Sequence, residues 1–297
     1  MSTVTHKKKL VFIVNPISGG SNYLDISSQL ESKINKNKFT YEIHLTEYEG
    51  HAAEICRDYI KKDAEIIIAV GGDGTINEVA SQMINCDCVL GIIPRGSGNG
   101  LARHLGIPLS VSKAIDLINS QKITKIDTAS VNDKKFISIA GVGFDAHIAD
   151  LFAGNTKRGF LSYFKLVAAN YRTYRPKKYK IKLDSQDEIT RSALFITFAN
   201  SNQFGYNTTI APNAKLNDGK LDICIVNKPS IFEIPIIVNL LLLKKIHLSP
   251  HVNIVPASEL IVTQSKNRVT NIDGEPIKLG KELKIKVNPL SLNVIIP

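Results

Sequence analysis

Cysteine is scarce: 297 residues contain four, Cys56, Cys86, Cys88 and Cys224. That is too few for a disulfide scaffold, and only Cys86 and Cys88 lie close together, so no four-ligand zinc spacing exists. All four are expected to be reduced packing thiols. A membrane-spanning run is lacking too. The best stretch, Ile231 to Leu243, is broken by Glu233, Pro235 and Asn239, whereas a spanning helix needs about 20 mostly apolar residues. The basic Lys7 to Lys9 precede apolar Leu10 to Val14 as in a signal peptide, but Asn15 and Pro16 end that run too early. A cytoplasmic, reducing location is therefore expected. There is no internal repeat, no low-complexity tract and no nucleic-acid-binding motif, so no nucleic-acid partner is expected. Neither Gly-x-x-x-x-Gly-Lys-Ser/Thr nor an early Gly-x-Gly-x-x-Gly is present, which disfavours P-loop enzymes and ordinary Rossmann oxidoreductases.

What is present is an ordinary globular composition, 43% hydrophobic and 22% charged, with a net charge of +10. This excludes a disordered chain, and the length suits two domains. The excess of positive charge suits an anionic partner, whether nucleic acid, nucleotide phosphate or acidic lipid, without choosing among them.

The pattern changes about 125 residues in. Before that point, strand-like Leu10 to Val14, Tyr41 to Leu45, Glu65 to Val70 and Val89 to Ile93 alternate with helical Tyr23 to Asn35, Gly50 to Lys61 and Thr75 to Ile84. Such alternation predicts a Rossmann-like parallel α/β sheet covered on both faces. Beyond it strands crowd together: Lys122 to Val131, Lys134 to Ala140, Tyr179 to Leu183, Ser192 to Ala199, Leu221 to Val226, Val252 to Val262, Arg268 to Ile272 and Leu283 to Val287. Only Gly159 to Tyr171 and Ile231 to Leu243 read as helices there. The second domain is thus expected to be an antiparallel β-sandwich or barrel. The expected boundaries are 1–125 and 126–287, with 288–297 available to complete the first domain.

Three glycine-rich loops follow strands of the first domain: Asn15-Pro16-Ile17-Ser18-Gly19-Gly20, Gly71-Gly72-Asp73-Gly74-Thr75, and Pro94-Arg95-Gly96-Ser97-Gly98-Asn99-Gly100. One such loop alone is usually a tight turn. Three in register predict a shared phosphate edge at the carboxyl ends of parallel strands, where helix N-termini offer free N–H groups.

Gly71 to Glu78, with Pro94 to Asn99, resembles the diacylglycerol kinase catalytic domain family, which includes bacterial lipid kinases and sphingosine kinases. The likeness extends through Asn15 to Gly19, Thr46 with Gly50-His51-Ala52, Gly141 to Asp145, Asn217 to Asp222 and Asn271 to Glu275. It implies an ATP- and Mg²⁺-dependent kinase with a nucleotide-binding first domain, a β-rich second domain and an ATP site in the cleft between them. Carried across by position, the nucleotide is held by Asn15, Pro16, Ile17, Ser18, Gly19, Thr46, Gly71, Gly72, Asp73, Gly74, Thr75, Ile76, Asn77 and Ser97. Ser97 replaces a common Thr but keeps the hydroxyl, and Arg95 stands where a smaller apolar residue is frequent.

Phosphoryl transfer needs positioning, charge neutralisation and a carboxylate to accept the hydroxyl proton. The resemblance makes Glu275 that acceptor, with Asp273 orienting it or sharing the role; the competing reading of Asp273-Gly274 is an ordinary hairpin turn. Asp73 is a further catalytic candidate. The related kinases bind Mg²⁺ at the Asn217-Asp218-Gly219 turn through the Asp carboxylate and two carbonyls, which by position are those of Lys215 and Lys220.

The helix Gly159 to Tyr171 combines Phe160, Leu161, Tyr163, Phe164, Leu166 and Val167 with Lys157, Arg158, Lys165, Arg172 and Arg175. It reads either as packed on its own sheet or as a basic amphipathic helix on anionic lipid. The same pair of readings applies to Lys244, Lys245 and His247. His51, His104 and His147 have no acid–base partner pattern. The leading expectation is a kinase for a lipid hydroxyl, most simply diacylglycerol yielding phosphatidic acid, peripheral at the inner membrane surface. The Pro-x-Gly-Ser-Gly-Asn loop argues against an NAD kinase, and the carboxylates Asp73 and Glu275 against a non-catalytic nucleotide sensor.

Overall fold

The computed structural model describes residues 7–19, 23–154, 160–205 and 208–297. Gly20, Lys157, Arg158 and Gly159, named above, lie outside the described residues. The chain divides into two compact units, Met1–Ile126 with Leu290–Pro297, and Asp127–Pro289.

The first unit runs β1 (Lys8–Val14), α1 (Tyr23–Lys33), β2 (Phe39–Leu45), α2 (His51–Ile60), β3 (Ile66–Gly71), α3 (Asp73–Gln82), β4 (Val89–Pro94), α4 (Gly100–His104) and α5 (Val111–Ser120), and enters β5 (Ile123–Val131). Its strands are parallel in the order β2-β1-β3-β4. β3 is buried along its whole length, as a central strand covered on both faces must be. One core cluster joins Leu10, Phe12, Val14, Ile66, Ile68 and Val70 of the sheet to Ile26 and Leu30 of α1 and Ile115 and Ile118 of α5. The strand order turns outward on either side of β1 and β3, and such a switch point is where open α/β sheets bind ligands.

The second unit adds β6 (Lys134–Phe136), β7 (Ile139–Gly143), α6 (Phe144–Ala153), α7 (Phe160–Tyr171), β8 (Lys177–Leu183), β9 (Ile189–Ala193), β10 (Phe195–Ala199), β11 (Gln203–Gly205), β12 (Thr208–Thr209), β13 (Leu221–Val226), α8 (Ile234–Leu242), β14 (Val252–Ala257), β15 (Glu259–Gln264), β16 (Val269–Ile272), β17 (Glu275–Lys278) and β18 (Glu282–Ile295). One antiparallel sheet has the order β14-β13-β10-β7-β16-β17; a second layer pairs β18 with β15, β15 with β8 and β8 with β9, all antiparallel. Alternation puts Leu283, Ile285 and Val287 inward and Glu282, Lys284 and Lys286 outward. The inward set meets Ile196, Phe198, Leu221 and Ile223 of the facing sheet in one core, which makes the layers a sandwich. The end of β18 returns to the first unit, where Asn293 and Val294 pair in parallel with Val89 and Leu90.

Three expected strands are broken in two: the run 192–199 divides at Leu194 between β9 and β10, and the other two divide where a carboxylate takes backbone N–H groups. The run 134–140 splits into β6 and β7 because the Asp273 carboxylate takes the N–H groups of Ile137, Ser138 and Ile139. The run 252–262 splits into β14 and β15 because Asp184 takes the N–H groups of Ser258 and Glu259. α4, α5 and α6 are further helices that the periodicity did not mark. Of the cysteines, Cys56 and Cys224 are buried free thiols, and burial pushes the Cys56 thiol up to about 12. Cys86 and Cys88 instead pair with each other, a correction to the reading of all four as reduced thiols: a single intervening residue in a tight bend brings their sulfurs together.

Candidate functional site

The three glycine loops converge at the carboxyl ends of β1, β3 and β4. Asn15 donates its backbone N–H to Val70 O at 2.9 Å and its side-chain amide to Thr75 Oγ1 at 3.1 Å, which ties the first loop to the second. Arg95 N–H donates to Gly71 O at 2.7 Å. Thr46, at the end of β2, donates its N–H to Val14 O and joins the same edge.

Glycine is required where these backbones touch. A Cβ on Gly96 would stand 2.7 Å from Gly72 Cα, and a Cβ on Gly19, held at φ +78°, would stand 2.5 Å from Arg95 O. Gly74 differs, since a Cβ there would meet nothing within 4 Å among the described residues. Open space therefore lies beside the first turn of α3, a helix whose N-cap Gly72 offers no side-chain cap. Asn77, one turn on, has its side-chain carbonyl oxygen buried without a hydrogen-bond partner among the described residues. An open cradle, uncapped N–H groups and an orphaned acceptor fit a polyphosphate ligand bearing hydroxyl or amino donors.

Asp73 works within this edge. Its carboxylate accepts the N–H of Asn99 at 2.8 Å and of Gly100 at 2.7 Å. The surrounding protein desolvates the carboxyl and raises its proton affinity against the pull of those amides, although the residue keeps an exposed surface. Asn99 closes the loop by accepting Gly96 N–H at 2.8 Å and donating to Gly96 O at 2.6 Å. Ser97 is exposed at the loop tip.

In the second unit, Asp273 and Gly274 form the two-residue turn between β16 and β17, with φ of 49° and 97° and Ile272 facing Glu275. Both residues occupy the left-handed region that a type I′ hairpin demands. The turn is anchored from two sides. Asp273 accepts the three N–H groups named above at 2.7–2.9 Å. Asn271 accepts Gly274 N–H at 2.9 Å and donates to Asp145 Oδ2 at 2.8 Å. Asp145 is buried, and its desolvation raises its pKa to about 6, with the Asn271 bond opposing. Glu275, at the start of β17, is exposed.

Asp218 is also exposed, in the turn before β13, where it accepts Lys220 N–H at 3.1 Å. Buried Asp127 accepts the adjoining Gly219 N–H at 2.7 Å. Asp222 carries a buried carboxylate oxygen with no hydrogen-bond partner among the described residues, and its proton affinity is raised by desolvation and then by the charge of Asp218. Among the described residues no three His, Cys, Asp or Glu side chains form a metal-binding group. Two neighbouring carboxylates, one with an orphaned oxygen, nonetheless fit a hard cation whose other ligands are main-chain oxygens such as those of Lys215 and Lys220.

The sequence reading brought out Asp73, Asp273 and Glu275 but gave no role to Asn99, Asp127, Asp145 or Asp222. Asn99 meets Asp73 across 26 positions, Asp127 meets Gly219 across 92 and Asp145 meets Asn271 across 126, and a polar residue inside an apolar strand or helix start is their local signal. A cavity of about 320 Å³ in the second unit, lined by His147, Asn170, Thr173, Tyr174, Arg175 and Lys177, was equally invisible. His51 accepts Glu47 N–H, and burial lowers the His104 pKa to about 4, keeping it neutral.

Known proteins give this geometry a context. Residues 9–131 match the family description "Diacylglycerol kinase catalytic domain", and residues 138–296 match "YegS C-terminal NAD kinase beta sandwich-like domain". The chain is 30% identical over 274 residues to a protein of Bacillus subtilis (strain 168) named diacylglycerol kinase, covering 90% of both chains. It is 32% identical over 266 residues to an Escherichia coli protein named probable lipid kinase YegS, covering 87% of both. In three dimensions it resembles a diacylglycerol kinase of Bacillus anthracis str. Sterne, with a TM-score of 0.76 at 23% identity over 98% of this chain and 97% of that one. An Archaeoglobus fulgidus NAD kinase solved with ATP shares the fold at a TM-score of 0.52 and 11% identity, covering 97% and 93%.

Proposed function

The chain belongs to the diacylglycerol kinase catalytic domain family, phosphotransferases with an alcohol acceptor, and from that premise we propose that it phosphorylates diacylglycerol to phosphatidic acid with ATP and Mg²⁺. The observation that carries the nucleotide half of this reading is the convergence of the loops at Asn15, Gly72 and Gly96 around the open side of Gly74. There Asn15 to Gly19, Thr46, Gly71 to Asn77 and Ser97 hold the nucleotide, with the N–H groups of α3 facing its phosphates.

Glu275 accepts the proton of the lipid hydroxyl as the hydroxyl oxygen bonds to the transferred phosphoryl group and the bond to ADP breaks. Asp273, with its carboxylate committed to three amides, positions that hairpin. Asp73 positions the third glycine loop. Mg²⁺ neutralises phosphate charge in such reactions, and a structural ion suits Asp218 with the carbonyls of Lys215 and Lys220.

Among the described residues no helix is long and apolar enough to cross a membrane, so the lipid is met at a surface, and the reading places the protein at the inner face of the cytoplasmic membrane. The α7 residues Leu161 and Phe164, 72% and 51% exposed, support that contact. Incubation with labelled ATP, Mg²⁺, diacylglycerol, extracted lipids and NAD, followed by phase separation, tests the reaction. Label is expected in the organic phase on the diacylglycerol product. Label on NAD, or on no acceptor, contradicts it.

A further inference from the structure

The second unit exposes an apolar ridge that the proposed chemistry does not use. α8 has no buried residue. Its inner side, Ile237, Leu240 and Leu241, still packs against the core that holds Ile139, Ile210 and Ile246. Its outer side and flanks leave Phe232 89%, Leu243 64%, Leu248 63% and Ile236 60% exposed. Scattered surface leucines need no explanation, but so dense a set within 17 residues does.

The ridge is rigid. At its start Glu233 accepts Ser230 N–H at 2.7 Å and meets His251 at 2.9 Å, while Tyr171 of α7 donates its hydroxyl to Pro229 O at 2.6 Å. At its end Lys244 turns left-handed at φ 58°, and the N–H groups of Lys244 and Lys245 close on Leu241 O and Leu240 O. The helix backbone is therefore held with apolar side chains outward, and docking has side chains rather than backbone to order.

Its charge says what it meets. Across these 17 residues Glu233 is the one carboxylate, engaged by Ser230 and His251, and exposed Lys244, Lys245 and His247 flank the apolar side chains. A second copy of a chain with a net charge of +10 would bring like charges together at this edge. An anionic bilayer offers both complements, phosphates for the lysines and acyl chains for the apolar side chains, and stable interfacial anchoring takes two such signals. At nine residues, α8 has the length of an interfacial segment and not of a span.

We propose that this ridge seats the protein on anionic phospholipid, with Phe232, Ile236, Leu243 and Leu248 below the headgroups and Lys244 and Lys245 on their phosphates. The proposal deepens the lipid-acceptor reading and rests on it for the choice of a bilayer as occupant.

The chain has no tryptophan, so Phe232→Trp in the full-length protein creates a single reporter on the ridge. With vesicles of phosphatidylglycerol and phosphatidylcholine in equal parts, its emission should shift to the blue and be quenched by acyl-chain-brominated lipid. With phosphatidylcholine alone the shift should be far smaller. Phe232→Asp combined with Leu243→Asp should cut cosedimentation with the anionic vesicles by about tenfold or more. The same pair should leave the melting temperature within about 2 °C of wild type, and turnover of a water-dispersed short-chain diacylglycerol within about twofold. A reporter that stays in water while the protein sediments with vesicles overturns the ridge as the docking surface. A blue shift without lipid that grows with protein concentration overturns it in favour of a second copy. If the wild type phosphorylates no lipid, the lipid-acceptor reading fails, and the reporter still decides the ridge separately.

Discussion

The glycine-loop edge of the first unit and the Asp273-Gly274 hairpin of the second solve one problem in opposite ways. At the edge, backbones meet directly: Gly72 against Gly96 and Gly19 against Arg95, where no side chain fits. At the hairpin, two left-handed residues project a turn that long-range side chains then hold, Asp273 on three amides and Asn271 between Gly274 and Asp145. In both places a carboxylate that reads as chemistry in the sequence is committed to backbone N–H groups. Glu275 is the acidic residue displayed on the surface of the hairpin. The proposed roles follow this division, with Asp73 and Asp273 holding backbone and Glu275 acting on the acceptor.

The comparison breaks first at the anchors. Asp273→Ala leaves three amides at the largely buried 137–139 segment without their acceptor and should cost the second unit about 2–5 kcal/mol, whereas Asp73→Ala, releasing two, should cost the first unit about 1–3 kcal/mol. Denaturant titration followed by hydrogen exchange in each unit would measure both, and equal small losses would remove the anchoring roles. Gly72→Val should weaken nucleotide binding by about tenfold or more while the exchange protection of the second unit stays as in wild type, because the added branch must push Gly96 away. Unchanged affinity would end the claim of a shared phosphate edge.

Asp145 sharpens the hairpin side. Its folded pKa of about 6 lies above the ordinary carboxylate value of 3.8, so the folded state binds a proton more tightly than the unfolded chain. Its contribution to stability is full below about pH 4 and is lost as pH rises towards and through 6. Asp145→Asn should therefore stabilise the protein by roughly 1–3 kcal/mol at pH 7.5 and flatten the pH dependence between 4 and 6. A variant that parallels wild type across that range would contradict the desolvation argument. The smallest effect is expected at Asp218: Mg²⁺ should raise wild-type stability by about 1 kcal/mol and Asp218→Ala should not respond. An identical response would leave Asp218 a turn former.

The two regions also differ in how far they can be read from sequence. The parallel sheet, the three loops and the β-rich second unit follow from local periodicity and glycine placement, which act within a few residues. Asp-Gly as a hairpin turn is equally local, and its conformation is the expected one. What escaped is long-range. The breaks after Phe136 and Ala257 depend on Asp273 and Asp184, distant in sequence from the strands they interrupt. The pairing of Asp145 with Asn271 spans 126 positions. The helix Phe144–Ala153 begins behind Gly143, so the usual start signal is missing, whereas Val111–Ser120 begins behind Ser110, a start that was legible locally.

The most direct measurement is the turnover of Glu275→Gln beside its nucleotide affinity. If Glu275 accepts the hydroxyl proton while Asp73 and Asp273 only hold backbone, kcat should fall by about 10² to 10⁴ with nucleotide Kd and melting temperature near wild type. Wild-type turnover in this variant would contradict the account, because the proton would then leave by another route.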